Sequence, residues 1–207
     1  MTSDAKFWDQ TANKYAASPI KDQAAYEHTL VETRKHLRPG DKLLEIGCGT
    51  GGTALLLADA VAHITATDVS ANMIKIGADK AVEQQVGNVE FVQATPADPK
   101  LVAKSFDAIT GFNILHLLPD LEGDLAALYA RLKPGGLLIS KTPCLADWKW
   151  RAVGRIAIPI MQFFGKAPYV SFLKGTDIEA KFVTAGFEIV TSGNHNAFSR
   201  FIVAKKR

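Results

Sequence analysis

In the run Leu43-Leu44-Glu45-Ile46-Gly47-Cys48-Gly49-Thr50-Gly51, a single carboxylate stands two residues ahead of alternating glycines, at the end of an apolar stretch. An apolar run that breaks into glycines is the pattern of a buried strand feeding a tight turn, where only hydrogen fits at Cα or the backbone needs φ > 0. Bare backbone in such a turn can lie directly against a ligand, and Glu45 is close enough to reach the same place. A carboxylate there accepts hydrogen bonds or holds a cation. Gly47, Gly49 and Gly52 also satisfy the G-x-G-x-x-G spacing of dinucleotide-binding turns, so the glycines alone leave that reading open, along with a turn that holds nothing. Glu45 would meet a pyrophosphate unfavourably, which favours an amino-acid-bearing sulfonium.

The elements that must position this turn alternate along the chain. Residues 24–37 read as a helix stopped by Pro39-Gly40, Lys42–Ile46 as a buried strand, Thr53–Ala60 as a helix, and His63–Thr67 as a strand ending in Asp68. Ser70 is placed to cap a helix whose Met73, Ile74, Gly77 and Ala81 share one face. Asn88–Gln93 and Phe106–Ile114 read as strands. Pro119-Asp120 opens a helix with Leu121, Leu125, Leu128 and Leu132 on one side, and Pro134-Gly135-Gly136 ends it before the strand Leu137–Lys141. Thr176-x-x-Glu179 has the form of a capping box for a last helix ending at Gly186. Phe187–Thr191 and Ser199–Ala204 then flank a turn at Gly193-Asn194-His195-Asn196. Alternation of this kind predicts an α/β, Rossmann-like, mostly parallel sheet with helices on both faces and an antiparallel hairpin at the C-terminus. The site belongs at the carboxyl ends of the strands, where strand order reverses.

Composition narrows the class. A chain of 207 residues with a net charge of +3 has room for one domain and carries no charge excess that demands a nucleic-acid partner. Cys48 and Cys144 are far apart and lack C-x-x-C spacing, so no disulfide framework and no metal site is expected. Met1–Lys6 is polar, unlike the start of a secretory signal, and the longest apolar stretch, Ile156 to Phe164, falls well short of the roughly 20 residues that span a bilayer. The expectation is a cytoplasmic protein.

Three segments together, Glu45-Ile-Gly-Cys-Gly-Thr-Gly51, Ile64-Thr-Ala-Thr-Asp-Val-Ser-Ala-Asn-Met-Ile74 and Leu132-Lys-Pro-Gly-Gly-Leu-Leu-Ile139, resemble the class I S-adenosylmethionine-dependent methyltransferases, small-molecule type, similar to those of quinone biosynthesis. The likeness covers most of residues 25–143 and 176–207. It implies a seven-stranded sheet and a cofactor held by the turn of Glu45, Gly47, Cys48, Gly49 and Gly51. It also implies that Asp68 takes the ribose hydroxyls, with Val69 and Met73 against the adenine. The Gly-Asp-Ala-like segment that such enzymes often carry after the third strand is Gln93-Ala94-Thr95 here, and Ala94 is the candidate contact. After the fourth strand, Asn113 of Gly111-Phe112-Asn113-Ile114-Leu115-His116 faces the methionine end. This segment departs from the Asn/Asp-Pro-Pro-aromatic sequence associated with methylation of nucleic-acid bases, which disfavours that substrate. Tyr15 matches a tyrosine that closes over the cofactor in related enzymes.

His116 is the candidate general base, should the methyl acceptor need to lose a proton. The chain divides into an N-terminal helical cap (1–40), a cofactor-binding core (41–143), a substrate-side insertion (144–175) and a terminal helix and hairpin (176–207). The insertion from Thr142 to Gly175 carries Lys149, Arg151, Arg155, Lys166 and Lys174 against Asp147 alone, with Trp148, Trp150, Phe163, Phe164, Tyr169 and Phe172 among them. It suits either a lid or peripheral membrane contact through 148–172, although Pro159 and Pro168 argue against one unbroken amphipathic helix. The expected activity is methyl transfer to a small apolar or amphipathic acceptor. A cofactor-binding protein without catalysis that serves a partner, and a nicotinamide-dependent oxidoreductase, remain the alternatives. The oligomeric state is not specified by the sequence.

Overall fold

The computed structural model describes residues 3–147, 151–196 and 198–207, and the candidate lid residues Trp148, Lys149 and Trp150 lie outside that range. Two helices lead the chain, α1 (Ser3–Ala17) and α2 (Gln23–Arg34), before β1 (Lys42–Ile46), α3 (Gly52–Leu57) and β2 (His63–Asp68). There follow α4 (Ala71–Glu83), β3 (Val89–Gln93), β4 (Phe106–Phe112), α5 (Leu121–Arg131), β5 (Leu132–Pro143), α6 (Arg151–Phe163), α7 (Gly175–Thr184), β6 (Phe187–Asn196) and β7 (Ser199–Lys206). The seven strands form one sheet in the order β3-β2-β1-β4-β5-β7-β6, parallel from β3 through β5 and antiparallel at β7 and β6. The expected Rossmann-like sheet with its C-terminal hairpin is therefore present.

Strand order reverses between β1 and β4, where the two chain directions leave a crevice at the carboxyl ends. Period-two alternation sends successive β1 residues to opposite faces. Leu44 and Ile46 pack with Ile109, Leu125, Leu128, Leu138 and Phe182 under α5 and α7, whereas Leu43 packs with Ala54, Leu57, Ile64 and Ala66 on the side of α2, α3 and α4. Glu45 shares the face of Leu43. On that same face Lys141, nearly buried, donates from Nζ to Thr29 Oγ1 at 3.1 Å and holds α2 against the sheet.

Several element ends fall where tertiary contacts put them. Ser70 Oγ accepts from the Met73 amide at 3.1 Å, the expected N-cap of α4. Helix α5 ends at Arg131, before the Pro-Gly-Gly turn, because the Lys104 and Ser105 amides take the Ala130 and Arg131 carbonyls and Leu132 already pairs with Phe106 in the sheet. Strand β4 stops at Phe112 because Asn113 turns to φ 57°, with its amide on the Lys141 carbonyl at 2.7 Å.

The capping box of the last helix also differs from expectation. Asp177 Oδ2 accepts from the Lys174 amide at 3.0 Å, two residues earlier than Thr176-x-x-Glu179 would place it. Glu179 is taken instead by Arg200, whose Nη2 lies 2.6 Å away, and by Ser192. The hairpin turn lies later as well: Gly193 and Asn194 pair with Phe201 and Arg200 as strand residues, and Asn196 pairs with Ser199. Finally, α6 runs through Pro159 but ends at Phe163, before Pro168, so the insertion is not one unbroken helix. Pro159 removes one donor, but most of the neighbouring backbone is exposed, so water can satisfy the carbonyl left free.

Candidate active site

A cavity with about 630 Å³ of empty space, open at its mouth, lies above the β1–β4 crevice. Of the residues singled out in the sequence, Tyr15, Gly47, Gly49, Asp68, Val69, Met73, Ala94 and Asn113 line it together; Glu45, Cys48, Gly51 and His116 do not. Trp8, Pro96, Phe112, Ile114, Leu117 and Leu118 complete the wall.

The glycine turn divides its labour. Gly47 sits at φ +61°, and a Cβ there would come within 2.6 Å of the Ile114 side chain. Gly51 sits at φ +78°, where a Cβ would meet the Phe91 ring at 2.5 Å, so this glycine serves packing between the turn and β3. Gly49 is the one covered by Tyr15, whose ring lies 3.5 Å from the position a Cβ would take. The Cys48 amide donates to the Thr67 carbonyl at 2.9 Å, and its buried thiol is pushed well up by burial and the acids nearby.

Two carboxylates frame the turn. Asp68, at the end of β2, accepts from the Gly49 amide at 3.0 Å and the Ser70 amide at 2.9 Å while still facing the cavity. Burial raises its pKa, opposed by those amide bonds. Glu45 lies beneath the turn, 3% exposed, and its Oε2 is buried with no hydrogen-bond partner among the described residues. Burial first, and the charge of Asp68 second, push it up to about 8. Burial first, and the charge of Glu45 to a lesser degree, raise the pKa of Tyr15 and Tyr26. An acid kept mostly neutral at neutral pH, with one oxygen unpartnered among the described residues, could take a cationic group brought by a ligand.

The remaining walls are fixed by polar ties. Gln93 Nε2 donates to the Val69 carbonyl at 2.9 Å, and the Ala94 amide donates to the Asp68 carbonyl at 3.0 Å. That amide is therefore already engaged, and Ala94 meets the cavity as an apolar wall. Arg131, 7% exposed, donates from Nε to the Pro96 carbonyl at 2.8 Å and from Nη2 to the Asp98 carbonyl at 2.7 Å, holding the loop behind Ala94. Asn113 lines the opposite wall in a left-handed conformation that non-glycine residues rarely adopt.

His116 follows in a short 3-10 turn, Leu115–Leu117, away from the cavity lining. Its carbonyl accepts from the Ser171 amide at 2.8 Å, and burial lowers its imidazole pKa to about 4. Sequence reasoning missed Trp8 and Asp9: Asp9 Oδ1 accepts from Ser70 Oγ at 2.6 Å and from the Asn72 amide at 3.1 Å, which lays α1 and Trp8 across the cavity mouth. The polar residues of α1 gave no sign of this, since the helix is seated by Ala5 and Ala12 rather than by large apolar side chains.

A family model described as a methyltransferase domain matches residues 19–192. The chain belongs to that methyltransferase family. The resemblance to class I S-adenosylmethionine-dependent methyltransferases read from the motifs is thus borne out. Among curated relatives, this methyltransferase-family chain is 32% identical over 148 residues to a demethylmenaquinone methyltransferase of Listeria monocytogenes serotype 4a, an alignment covering 66% of this chain and 62% of that one. It is 30% identical over 176 residues to a ubiquinone/menaquinone biosynthesis C-methyltransferase of Brucella suis, covering 76% and 65%. The matched parts are thus less than two thirds of those relatives' lengths. In fold it is similar to a SAM-dependent methyltransferase from Aquifex aeolicus, with a TM-score of 0.73 at 16% identity and all of both chains covered.

Proposed function

We propose that this chain binds S-adenosylmethionine in the β1–β4 cavity and transfers its methyl group by in-line displacement to a small apolar or amphipathic acceptor. The observation that carries the reading is Glu45, a buried carboxyl with one oxygen unpartnered beneath a glycine turn. The ligand's ammonium group supplies what that oxygen lacks, and the ion pair brings Glu45 into its charged form. Asp68, already oriented by two amides, has lone pairs left for a vicinal diol. Val69, Met73 and Ala94 offer apolar contact for a purine, Gly47 and Gly49 bring backbone close, and the rings of Tyr15 and Trp8 join the lining.

The cofactor, when bound, supplies a methyl carbon activated by its positive sulphur. The chain's own task is then to hold the acceptor's nucleophilic atom in line and keep the site dry. Leu117, Leu118, Phe112 and Ile114 make the acceptor-side wall apolar, and the quinone-biosynthesis names of the curated relatives agree with an acceptor of that character. His116 is neutral at physiological pH but a weak base, and it stands outside the cavity lining; we assign it no required proton transfer.

A nicotinamide dinucleotide is disfavoured by Glu45 and by Gly52. The third glycine of a dinucleotide fingerprint allows close helix–strand packing, yet a Cβ on Gly52 would meet nothing nearer than the Tyr26 hydroxyl at 4.0 Å. The test is incubation of the protein with methyl-labelled S-adenosylmethionine and a cellular extract, followed by separation into aqueous and organic phases. Label moving into the organic phase supports transfer to an apolar acceptor. Binding of the nucleoside with no transfer to any fraction supports the alternative, a cofactor-binding protein that serves a partner.

A further inference from the structure

Helix α6 turns its apolar side outward. Val153, Ile156, Ile160 and Phe163 recur at spacings of three and four residues, which puts them on one helix face, and all four are exposed, Phe163 at 85% and Ile156 at 69%. Phe164, just past the helix, is 66% exposed. The side toward the protein is seated through buried Gly154 and through Gln162, whose Nε2 donates to the Pro168 carbonyl at 2.7 Å. This reverses the usual surface helix, which buries its apolar stripe and shows its polar one.

The segment that bears that face has charge of one sign, with Arg151 and Arg155 set by helical spacing to the side of the stripe, nearer Gly154. From Arg151 to Lys174 the chain carries Arg151, Arg155, Lys166 and Lys174 and no Asp or Glu. Arg155 rests its guanidinium over the Phe172 ring, 5.8 Å from the centroid. An anionic headgroup layer over hydrocarbon complements both the apolar stripe and the cations.

Beside the end of α6 a cleft opens against α1, lined by Phe7, Pro119, Phe164 and Tyr169 and also by Asp4 and Lys6. Pro119 and Tyr169 also border a second depression, and that depression shares Leu118 with the cofactor cavity. The strap between α6 and α7 is tied in place here: the Tyr169 amide donates to Asp4 Oδ1 at 3.0 Å, and Ser171 to the His116 carbonyl.

We propose that α6 seats this chain on an anionic lipid bilayer through Val153, Ile156, Ile160 and Phe163. In that pose the α1–α6 cleft passes an apolar acceptor from the bilayer to the Leu117–Leu118 wall; this passage rests on the methyl-transfer reading, whereas the docking does not. The test is flotation of the full chain with vesicles of equal parts phosphatidylglycerol and phosphatidylcholine, and with phosphatidylcholine alone, at low and high salt. The chain is expected to float with the anionic vesicles at low salt, to bind the neutral ones far less, and to dissociate as salt rises. The variant I156S/F163S weakens binding by about tenfold or more, since both side chains lose their place in the acyl boundary, and R151E/K166E does so through charge.

Both pairs are exposed, so circular dichroism matching the parent chain verifies the fold. No flotation with anionic vesicles, or flotation untouched by I156S/F163S, overturns the proposal. So does a vesicle-free dimer, seen by sedimentation, that the same substitution dissolves. Titration of the same proteins with S-adenosylhomocysteine reports the cofactor reading separately, so either result can fail without the other.

Discussion

Replacing Glu45 with Gln should move stability and ligand affinity in opposite directions. Burial and Asp68 lift the Glu45 carboxyl from 4.5 to about 8 in the folded chain. The folded state therefore holds a proton that the unfolded state has released over that interval. The stabilisation this brings is complete below the unfolded value and is lost as pH rises toward and through the folded one. Each pH unit crossed between those two values is worth about 1.36 kcal/mol, so unliganded parent protein should lose about 3 kcal/mol of stability between roughly pH 4.5 and pH 7 from this group. Glu45→Gln cannot ionise, and its stability should follow a flatter curve. A smaller slope of the same sign remains from Asp68, whose pKa is also raised.

Binding should respond in the other sense. A ligand ammonium group stabilises the ionised carboxylate, so affinity of the parent for S-adenosylhomocysteine should climb by up to about tenfold per pH unit between roughly pH 6 and pH 8. The Gln variant should bind about 10- to 100-fold more weakly at about pH 8, the value of one hydrogen bond to a charged group. Urea unfolding followed by circular dichroism across that pH range measures the first effect, and calorimetry measures the second. Equal pH slopes of stability in parent and variant, or a variant that binds as tightly as the parent, would refute the reasoning.

Other substitutions separate the roles within the site. Asp68→Asn keeps one acceptor and gains a donor facing the Gly49 or Ser70 amide; affinity for S-adenosylhomocysteine should fall about tenfold or more, and unchanged titration curves would remove Asp68 from ligand binding. Gly51→Ala forces a Cβ into Phe91 at a positive φ, so thermal melting should report a loss of about 2 kcal/mol or more. An unshifted midpoint would show that the Phe91 contact yields freely. His116→Gln should leave turnover within about twofold of the parent once the acceptor is in hand, whereas a fall of about 100-fold or more, the usual effect of a lost general base, would return the imidazole to the chemistry.

The sheet was legible because its punctuation is local. The glycine turn after Ile46 and the Ser70 cap each announce a boundary by their own backbone chemistry, and the structure places them accordingly, whereas α2 ends at Arg34, short of residue 37 and of the Pro39-Gly40 stop. Most of the cavity residues were legible for the same reason, lying in the turns that end β1, β2, β3 and β4. What escaped depends on contacts distant in sequence. Trp8 reaches the cavity only because Asp9 finds Ser70 and Asn72, and Arg131 matters only because the Pro96 and Asp98 carbonyls stand beside it. Glu179 fits a capping motif by spacing, yet Arg200 of the neighbouring strand is the stronger partner. Of the two prolines of the insertion only Pro168 lies beyond a helix end; Pro159 sits inside α6, where a helix exposed to water tolerates a missing bond that a buried one would not.

The central claim is that the cavity above β1 and β4 holds a sulfonium nucleoside, with Asp68 on its wall and Glu45 beneath its glycine turn. Calorimetric titration of the parent chain with S-adenosylmethionine, S-adenosylhomocysteine, NAD and NADP, repeated on Glu45→Gln and Asp68→Asn, addresses it most directly. Saturable binding of the two sulphur nucleosides, none of either dinucleotide, and weakened binding in both variants is the expected result. Binding of a dinucleotide with none of the sulphur nucleosides, or affinity untouched by either substitution, would contradict it.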